Sequence, residues 1–288
     1  MTTFASRSPA AATPPVALTI AGTDSGAGAG VAADLRTFAA HDVFGTFAVS
    51  AVTAQNTVGV QRVQALPALM VVAQIETVVS DLHPVAAKTG MLATPEIVSA
   101  VTELVAAGTL PALVVDPVLV DSSGRPLFEG NAMRDAYLGL IAGATVATPN
   151  LSEASLLVGR QIDDEAAMEE AARELQAVGA GLVIVKGGRP RLDDEAVDVA
   201  FDGRAVSFLR APWLETRNVH GTGCSFAAAI AAHLARGATS LEAAVAAKSY
   251  VHRAIALAAD WRLGAGHGPI DQIGAAPTEL RRRLPSGR

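Results

Sequence analysis

The chain has 288 residues, of which 50% are hydrophobic and 17% charged, enough apolar material for a sizeable core and too much for a disordered chain. Its 22 Lys+Arg against 28 Asp+Glu leave a net charge of −6, so it has no general basic surface, and neither nucleic acid nor a membrane is an expected partner. The single cysteine, Cys224, excludes an intrachain disulfide and any multi-cysteine metal site, and the cytoplasm is the expected location.

Residues 1–15, rich in Ala, Ser, Thr and Pro with Arg7 as the one charge, read as a disordered tail. Short β-branched runs then alternate with longer Ala/Leu stretches at helical spacing. A strand is predicted at Val16–Ala21, a helix at Gly30–Ala40, a strand at Phe47–Thr53 and a helix at Pro67–Asp81. The strand Val85–Thr89, the helix Pro95–Ala107, the strand Leu113–Asp116, the helix Ala132–Ile141 and the strand Thr145–Thr148 follow. Next come helices at Leu151–Val158 and Glu165–Val178, the second opened by the acidic Asp163-Asp164-Glu165, which suits the positive end of a helix dipole. After the strand Leu182–Lys186, the runs Ala196–Phe201 and Ala205–Leu209 read as an antiparallel hairpin turning at Asp202-Gly203. Helices at Gly223–Arg236 and Leu241–Ala259 complete the list. Their apolar runs are broken by His233, Arg236, Glu242, Lys248 and Arg253, too often for a membrane span. The alternation predicts an α/β fold, a mainly parallel sheet covered by helices in one domain over residues 16–278, with 279–288 as a second tail.

In open α/β sheets, ligands bind beyond the carboxyl ends of the strands. Gly22-Thr23-Asp24, Gln55-Asn56, Lys88, Asp116, Pro149-Asn150 and Lys186-Gly187-Gly188 should therefore line one crevice. The stretch Gly22 to Gly30 formally meets a dinucleotide fingerprint through Gly28, Gly30 and Ala33. No Asp or Glu lies between Asp42 and Glu76 to hold a ribose, so a nicotinamide dinucleotide is rejected. A Walker loop and a G-x-S-x-G nucleophile elbow are also absent.

A second glycine-rich junction, Asn218-Val219-His220-Gly221-Thr222-Gly223-Cys224, leads into a helix. It reads either as a backbone cradle for a phosphoryl group or as a tight loop with a buried, inert thiol. Only Lys88, Lys186 and Lys248 are lysines, the other basic residues being Arg. At strand ends, Lys88 and Lys186 offer compact charges suited to a phosphate, or simply snorkelling stems. Asn150 and Glu153 put an amide and a carboxylate on one helical turn, which fits an oxygen pair for Mg²⁺ and fits a helix capping box equally well.

Taken together and in order, these motifs resemble one family. Ala21-Gly22-Thr23-Asp24, Gly28-Ala29-Gly30, Ala33-Asp34-Leu35, Thr53-Ala54-Gln55-Asn56-Thr57, Lys88-Thr89-Gly90-Met91, Asp116-Pro117-Val118, Thr148-Pro149-Asn150, Glu153, Lys186-Gly187-Gly188, His220-Gly221-Thr222-Gly223-Cys224 and Gly266-His267-Gly268-Pro269 are similar to the hydroxymethylpyrimidine/phosphomethylpyrimidine kinases of thiamine biosynthesis, in the ribokinase-like superfamily. The resemblance runs from about Val16 to Ile270. It implies a three-layer α/β/α sandwich with a small antiparallel hairpin, a homodimer, and ATP with Mg²⁺ as cofactors. By the same resemblance, Gly221, Thr222 and Gly223 form an anion hole in which Thr222 and Gly223 also meet the nucleotide, and Cys224 is the catalytic group. A thiol at a helix N-terminus is expected to have a lowered pKa and to accept the substrate proton. Gly22, Asp34, Gln55, Met91 and Val118 would hold the pyrimidine, Lys186 the ATP phosphates, and Asp116, Asn150 and Glu153 the magnesium shell. Ser25-Gly26-Ala27 and the lid Asp121-Ser122-Ser123-Gly124 depart from the family pattern, the lid lacking a lysine. Pyridoxal kinases share much of this framework and are the nearest alternative; a non-catalytic pyrimidine or thiamine sensor is the alternative from another class.

Overall fold

The structure, a computed structural model, describes residues 13–120, 130–188 and 194–276. The predicted lid at Asp121 to Gly124, residues 1–12 of the first predicted tail and the whole of the second, 279–288, lie outside them.

An eight-stranded sheet forms the middle layer. In chain order its strands are β1 (Val16–Ala21), β2 (Phe44–Val49), β5 (Ala86–Thr89), β6 (Ala112–Val115), β7 (Val146–Ala147), β8 (Leu182–Lys186), β9 (Glu195–Phe201) and β10 (Val206–Pro212). Across the sheet they run β10-β9-β8-β7-β6-β5-β1-β2. The pairs from β2 to β8 are parallel, whereas β9 and β10 add an antiparallel hairpin at one edge. A separate two-stranded sheet joins β3 (Ala51–Asn56) to β4 (Gly59–Ala65).

Helices cover both faces, which is why the central strands are apolar at nearly every position. One face packs on α2 (Ala68–Leu82), α3 (Pro95–Ala106), α4 (Ala132–Ala142), α5 (Leu151–Val158) and α6 (Glu165–Ala177) around Ile20, Leu113, Val115 and Val185. The other packs on α1 (Gly30–Ala40), α7 (Thr222–Ala235) and α8 (Ser240–Ala258). Residues Ala227–Ala232 of α7 are fully buried; their short side chains let the helix lie between the sheet, α1 and α8 with its N-terminus at the strand ends. Local caps fix the helix starts: the Thr94 hydroxyl accepts from the Ile97 N–H before Pro95, and Thr239 and Glu242 cap α8 reciprocally.

The helices match the predictions to within two residues. The predicted strand Phe47–Thr53 is corrected. It is two strands that part at Ser50, whose N–H donates to the Ala21 carbonyl and whose hydroxyl donates to that of Met91. The chain thus leaves the main sheet as β2 and starts the small sheet as β3. No prediction corresponds to β4, which is exposed along almost its whole length and so has no core-facing alternation to read.

Candidate active site

Strand alternation decides which side chains reach the crevice. Ala17, Ala86, Val114, Ile184 and Ala200 belong to the core under α1, α7 and α8. Two positions away on the same face stand Thr19, Lys88, Asp116, Lys186 and Asp198. All three lysines of the chain are there in ion pairs. Lys88 Nζ lies 2.8 Å from Asp34, Lys186 Nζ 2.8 Å from Asp116, and Lys248 Nζ 2.8 Å from Asp198.

The first pair is wholly buried. Thr19 donates to the same Asp34 oxygen at 2.6 Å, while the second oxygen, Oδ1, is buried with no protein partner. Burial opposes the Lys88 ammonium more than any one neighbour supports it, but Asp34, Cys224 and Asp116 together outweigh it and hold Lys88 charged well above its ordinary range. Lys88 therefore anchors Asp34 rather than reaching a phosphate, and removing either partner alone would cost about 3–5 kcal/mol. Asp34 has no exposed surface, so its contribution to a ligand is the free Oδ1, an acceptor awaiting a donor.

Two glycine loops meet above these pairs, and Asp24 clasps them. Its carboxylate accepts from the N–H groups of Gly26, Gly28 and Ala29 in the first loop, and lies 2.8 Å from His220 Nε2 in the second. Burial would raise the Asp24 pKa, but these donors outweigh it and hold the carboxyl below its ordinary value. Gly221 adopts φ +86°, and a Cβ there would run into the Gly28 carbonyl, so both conformation and space demand glycine. Immediately beyond it α7 begins. Gly221 provides no capping side chain; the Thr222 N–H donates to the Val219 carbonyl at 3.2 Å, and the N–H groups of Gly223 and Cys224 have no partner within the helix, which leaves a backbone anion site at Gly223 and Cys224. A Cβ on Gly223 would sit 3.3 Å from Lys186 Nζ and 3.7 Å from an Asp116 oxygen, so the second ion pair lies against this helix start.

The expected lowering of the Cys224 pKa is not found. Burial pushes the thiol up to about 11, Asp34 and Asp116 push the same way, and Lys88 with the Gly30 N–H only partly opposes them. These surroundings favour the thiol over the thiolate at neutral pH, which weighs against the expected proton-accepting role.

On the other side of the glycine loops, Gly22 donates to the Met91 carbonyl at 3.1 Å, and its missing side chain leaves room for the Met91 methyl. Gln55, half-buried on β3, has its amide 3.5 Å from both His220 Nε2 and the Thr53 hydroxyl. Val118 follows β6 half-buried, its N–H bonded to the Asp116 carbonyl. Sequence reasoning placed Asp24 in the crevice and His220 in the second glycine-rich junction without seeing that they pair, and it passed over Asp198.

Asn150 and Glu153 form the capping box. Glu153 accepts from the Asn150 N–H at 2.8 Å, and Asn150 Oδ1 accepts from the Glu153 N–H at 2.9 Å. That oxygen thereby caps the start of α5. Burial, with Asp116 nearby, pushes the Glu153 pKa up to about 8 despite Lys186. Among the described residues there is no group of three or more His, Cys, Asp or Glu placed to hold a metal ion. Two adjacent carboxylates, Asp116 and Glu153, still suit Mg²⁺ that arrives with most of its ligands supplied by phosphates and water.

Residues 24–271 match the sequence model of the family described as phosphomethylpyrimidine kinase. The hydroxymethylpyrimidine/phosphomethylpyrimidine kinase of Synechococcus elongatus is 46% identical over 256 residues, spanning 89% of this chain and 96% of that protein. Among solved structures, the pyridoxal kinase of Staphylococcus aureus in complex with AMP-PCP and pyridoxal superposes with a TM-score of 0.82 at 34% identity, covering 92% of this chain and 96% of that one. Phosphomethylpyrimidine kinase from Clostridium difficile does so with a TM-score of 0.73 at 36% identity, covering 84% and 99% respectively.

Proposed function

The chain belongs to the phosphomethylpyrimidine kinase family, and from that premise we propose that it moves the γ-phosphoryl group of ATP to the hydroxymethyl oxygen of 4-amino-5-hydroxymethyl-2-methylpyrimidine, and then phosphorylates the monophosphate to the diphosphate. One observation carries this reading. The start of α7 lies against the Lys186–Asp116 pair and is clasped through His220 and Asp24 to the loop that bears Gly22, so a phosphate cradle and a small polar pocket share one crevice. Phosphoryl transfer asks chiefly for such positioning and charge neutralisation.

In the proposed complex the pyrimidine lies on Gly22 and Met91, with Gln55 and the free Asp34 Oδ1 meeting its amino and ring-nitrogen edge and Val118 bordering it. The acceptor hydroxyl attacks phosphorus, ADP leaves, and the N–H groups of Gly223 and Cys224 take the transferring oxygens, with Thr222 held beside them through its N–H on the Val219 carbonyl. A thiol with a pKa of about 11 is a poor general base, so Cys224 orients the hydroxyl and the proton departs late, onto phosphoryl oxygen or water. Lys186 meets the ATP phosphates. Asp116 and Glu153 would hold Mg²⁺, which would supply charge neutralisation for the ATP phosphates, while Asn150 fixes Glu153 from the helix cap.

The catalytic unit spans residues 16–278 as a single domain. It works as a homodimer in the cytoplasm, where one free cysteine needs no oxidising surroundings. No described helix is long and apolar enough to cross a membrane. A second copy would cover the exposed Phe44 and Phe47 of β2, Val52, Val60 and Val63 of the small sheet, and Leu69 and Met70 of α2. Sedimentation at micromolar concentration tests the dimer.

Vitamin B6 chemistry is the second reading, favoured by the likeness to a pyridoxal-bound kinase. The deciding assay gives the purified protein Mg-ATP with, separately, the pyrimidine alcohol, its monophosphate and pyridoxal. Product from the two pyrimidines is expected. Turnover of pyridoxal alone would reassign the enzyme, and binding without any product would make it a sensor.

A further inference from the structure

The third lysine pair stands outside the machinery assigned above. Asp198 lies on β9, directly across from Lys186 of β8 in the antiparallel ladder. One of its oxygens accepts the N–H of Gly187 at 3.0 Å, and the other lies 2.8 Å from Lys248 Nζ, which reaches in from α8. Asp198 is 5% exposed and the Lys248 side chain 14%. Gly187 is pressed so closely on the Val197 carbonyl that a Cβ would collide with it. The strand end that delivers Lys186 is thus held twice from β9, by the close approach of Gly187 to Val197 and by the Asp198 carboxylate.

That arrangement has an electrostatic side. A buried carboxylate one residue from the lysine that meets ATP phosphates would repel them and compete for the ammonium, unless another cation neutralised it. Lys248 is placed to do this. It is directed at Asp198, and Lys186 is thereby left to Asp116.

We propose that Asp198 and Lys248 are positioning residues for phosphate binding: Asp198 fixes the Lys186-Gly187 strand end through the Gly187 N–H, and Lys248 cancels the charge that this fastening introduces beside the nucleotide. The proposal rests on the reading of Lys186 as the phosphate-binding lysine. It implies that Lys248 acts through Asp198, so its loss should be repairable by removing the charge it balances.

The test is a double-mutant cycle of Lys248→Met and Asp198→Asn, the asparagine keeping an oxygen for Gly187 while removing the charge. In variants with native circular dichroism, Lys248→Met should raise KM for ATP at least about tenfold while KM for the pyrimidine stays within about twofold. Asp198→Asn alone should raise KM for ATP about threefold, and the double variant should return to within about threefold of the parent. A double variant as impaired as Lys248→Met would overturn the proposal, since the lysine would then act on the nucleotide or on packing. So would a Lys248→Met protein that melts lower but binds ATP normally. Hydrogen exchange of the Gly187 amide supplies an arm that needs no turnover: Asp198→Ala should speed it at least about tenfold, and unchanged exchange would sink the fastening role. A parent protein that phosphorylates neither pyrimidine nor pyridoxal would refute the functional reading instead, leaving the exchange result to decide the fastening.

Discussion

Cys224 is the only cysteine of the chain, so its ionisation can be read without mutagenesis by alkylation. The structure surrounds it with burial and with the charges of Asp34 and Asp116, against Lys88 and the Gly30 N–H on the other side, and its pKa rises to about 11 from an ordinary 9.0. At pH 8 that leaves a thiolate fraction of roughly 0.1%, against roughly 10% for a free thiol of ordinary pKa. A more basic thiolate is intrinsically more nucleophilic, by about tenfold over two units, so the net expectation is labelling about tenfold slower than a model thiol at pH 8. The steadier observable is the profile. Iodoacetamide labelling rates, followed by mass spectrometry between pH 6 and 10.5, should still be rising steeply at the upper end. A midpoint at or below about 8.5 would refute the reasoning: the start of α7 and Lys88 would then outweigh burial, and a thiolate base would return to the mechanism.

Gln55→Leu should weaken pyrimidine binding by about 1–3 kcal/mol in calorimetric titration and leave ATP binding unchanged, because a polar ring edge loses its partner; equal affinity would take Gln55 out of the pocket. Gly223→Val puts a branched side chain against Lys186 Nζ and should abolish transfer to every acceptor while free pyrimidine still binds, with circular dichroism confirming the fold. Parent-rate turnover in that variant would remove the start of α7 from the chemistry. His41 is buried at the far end of α1, its Nδ1 bonded to the Thr37 carbonyl, and burial lowers its pKa to about 4. A histidine depressed in the fold contributes stability that is full above pH 6.5 and is lost as pH falls toward 4. The parent should therefore be about 2 kcal/mol less stable at pH 5 than at pH 7, and His41→Gln should lack that increment in urea melts. An identical pH dependence in the variant would contradict it.

The elements most legible in the sequence are those bounded by a change of period or a cap. β1, α1, α5 and β8 were readable to the residue, because Gly22, Gly30, Asn150 and Gly187 mark their ends. The break at Ser50 was not, since Phe47 to Thr53 is one β-branched run whose parting depends on the Ala21 and Met91 carbonyls, far away in sequence. For Asn150 and Glu153 the spacing served a cap and a metal equally, and only the two reciprocal hydrogen bonds show that the cap forms. The helix-terminus rule gave the wrong sign for Cys224 because it knows nothing of what α1, β5 and β6 bring around the thiol. Scarcity did flag the lysines, but not their partners, which lie 54, 70 and 50 residues away for Lys88, Lys186 and Lys248.

Those partners explain why lysine was kept where the rest of the chain prefers arginine. An arginine opposite Asp116 would make a bidentate fork with the carboxylate and be slow to leave it. Lys186 makes one short contact with Asp116 through a point charge on a four-carbon stem, and the same ammonium can turn to a phosphate oxygen without dismantling a planar pair. Each of the three pairs is neutral overall, so before nucleotide arrives the row presents little net charge to the crevice. Attraction for the phosphates must then come first from the half-buried Gly223 and Cys224 amides at the start of α7, with Lys186 joining as it is drawn from its aspartate. On this argument Lys186→Arg is not a conservative change: it should retain the fold and the Asp116 pair while lowering affinity for ATP, and normal ATP binding in that variant would show that the transferable ammonium is not what the site requires.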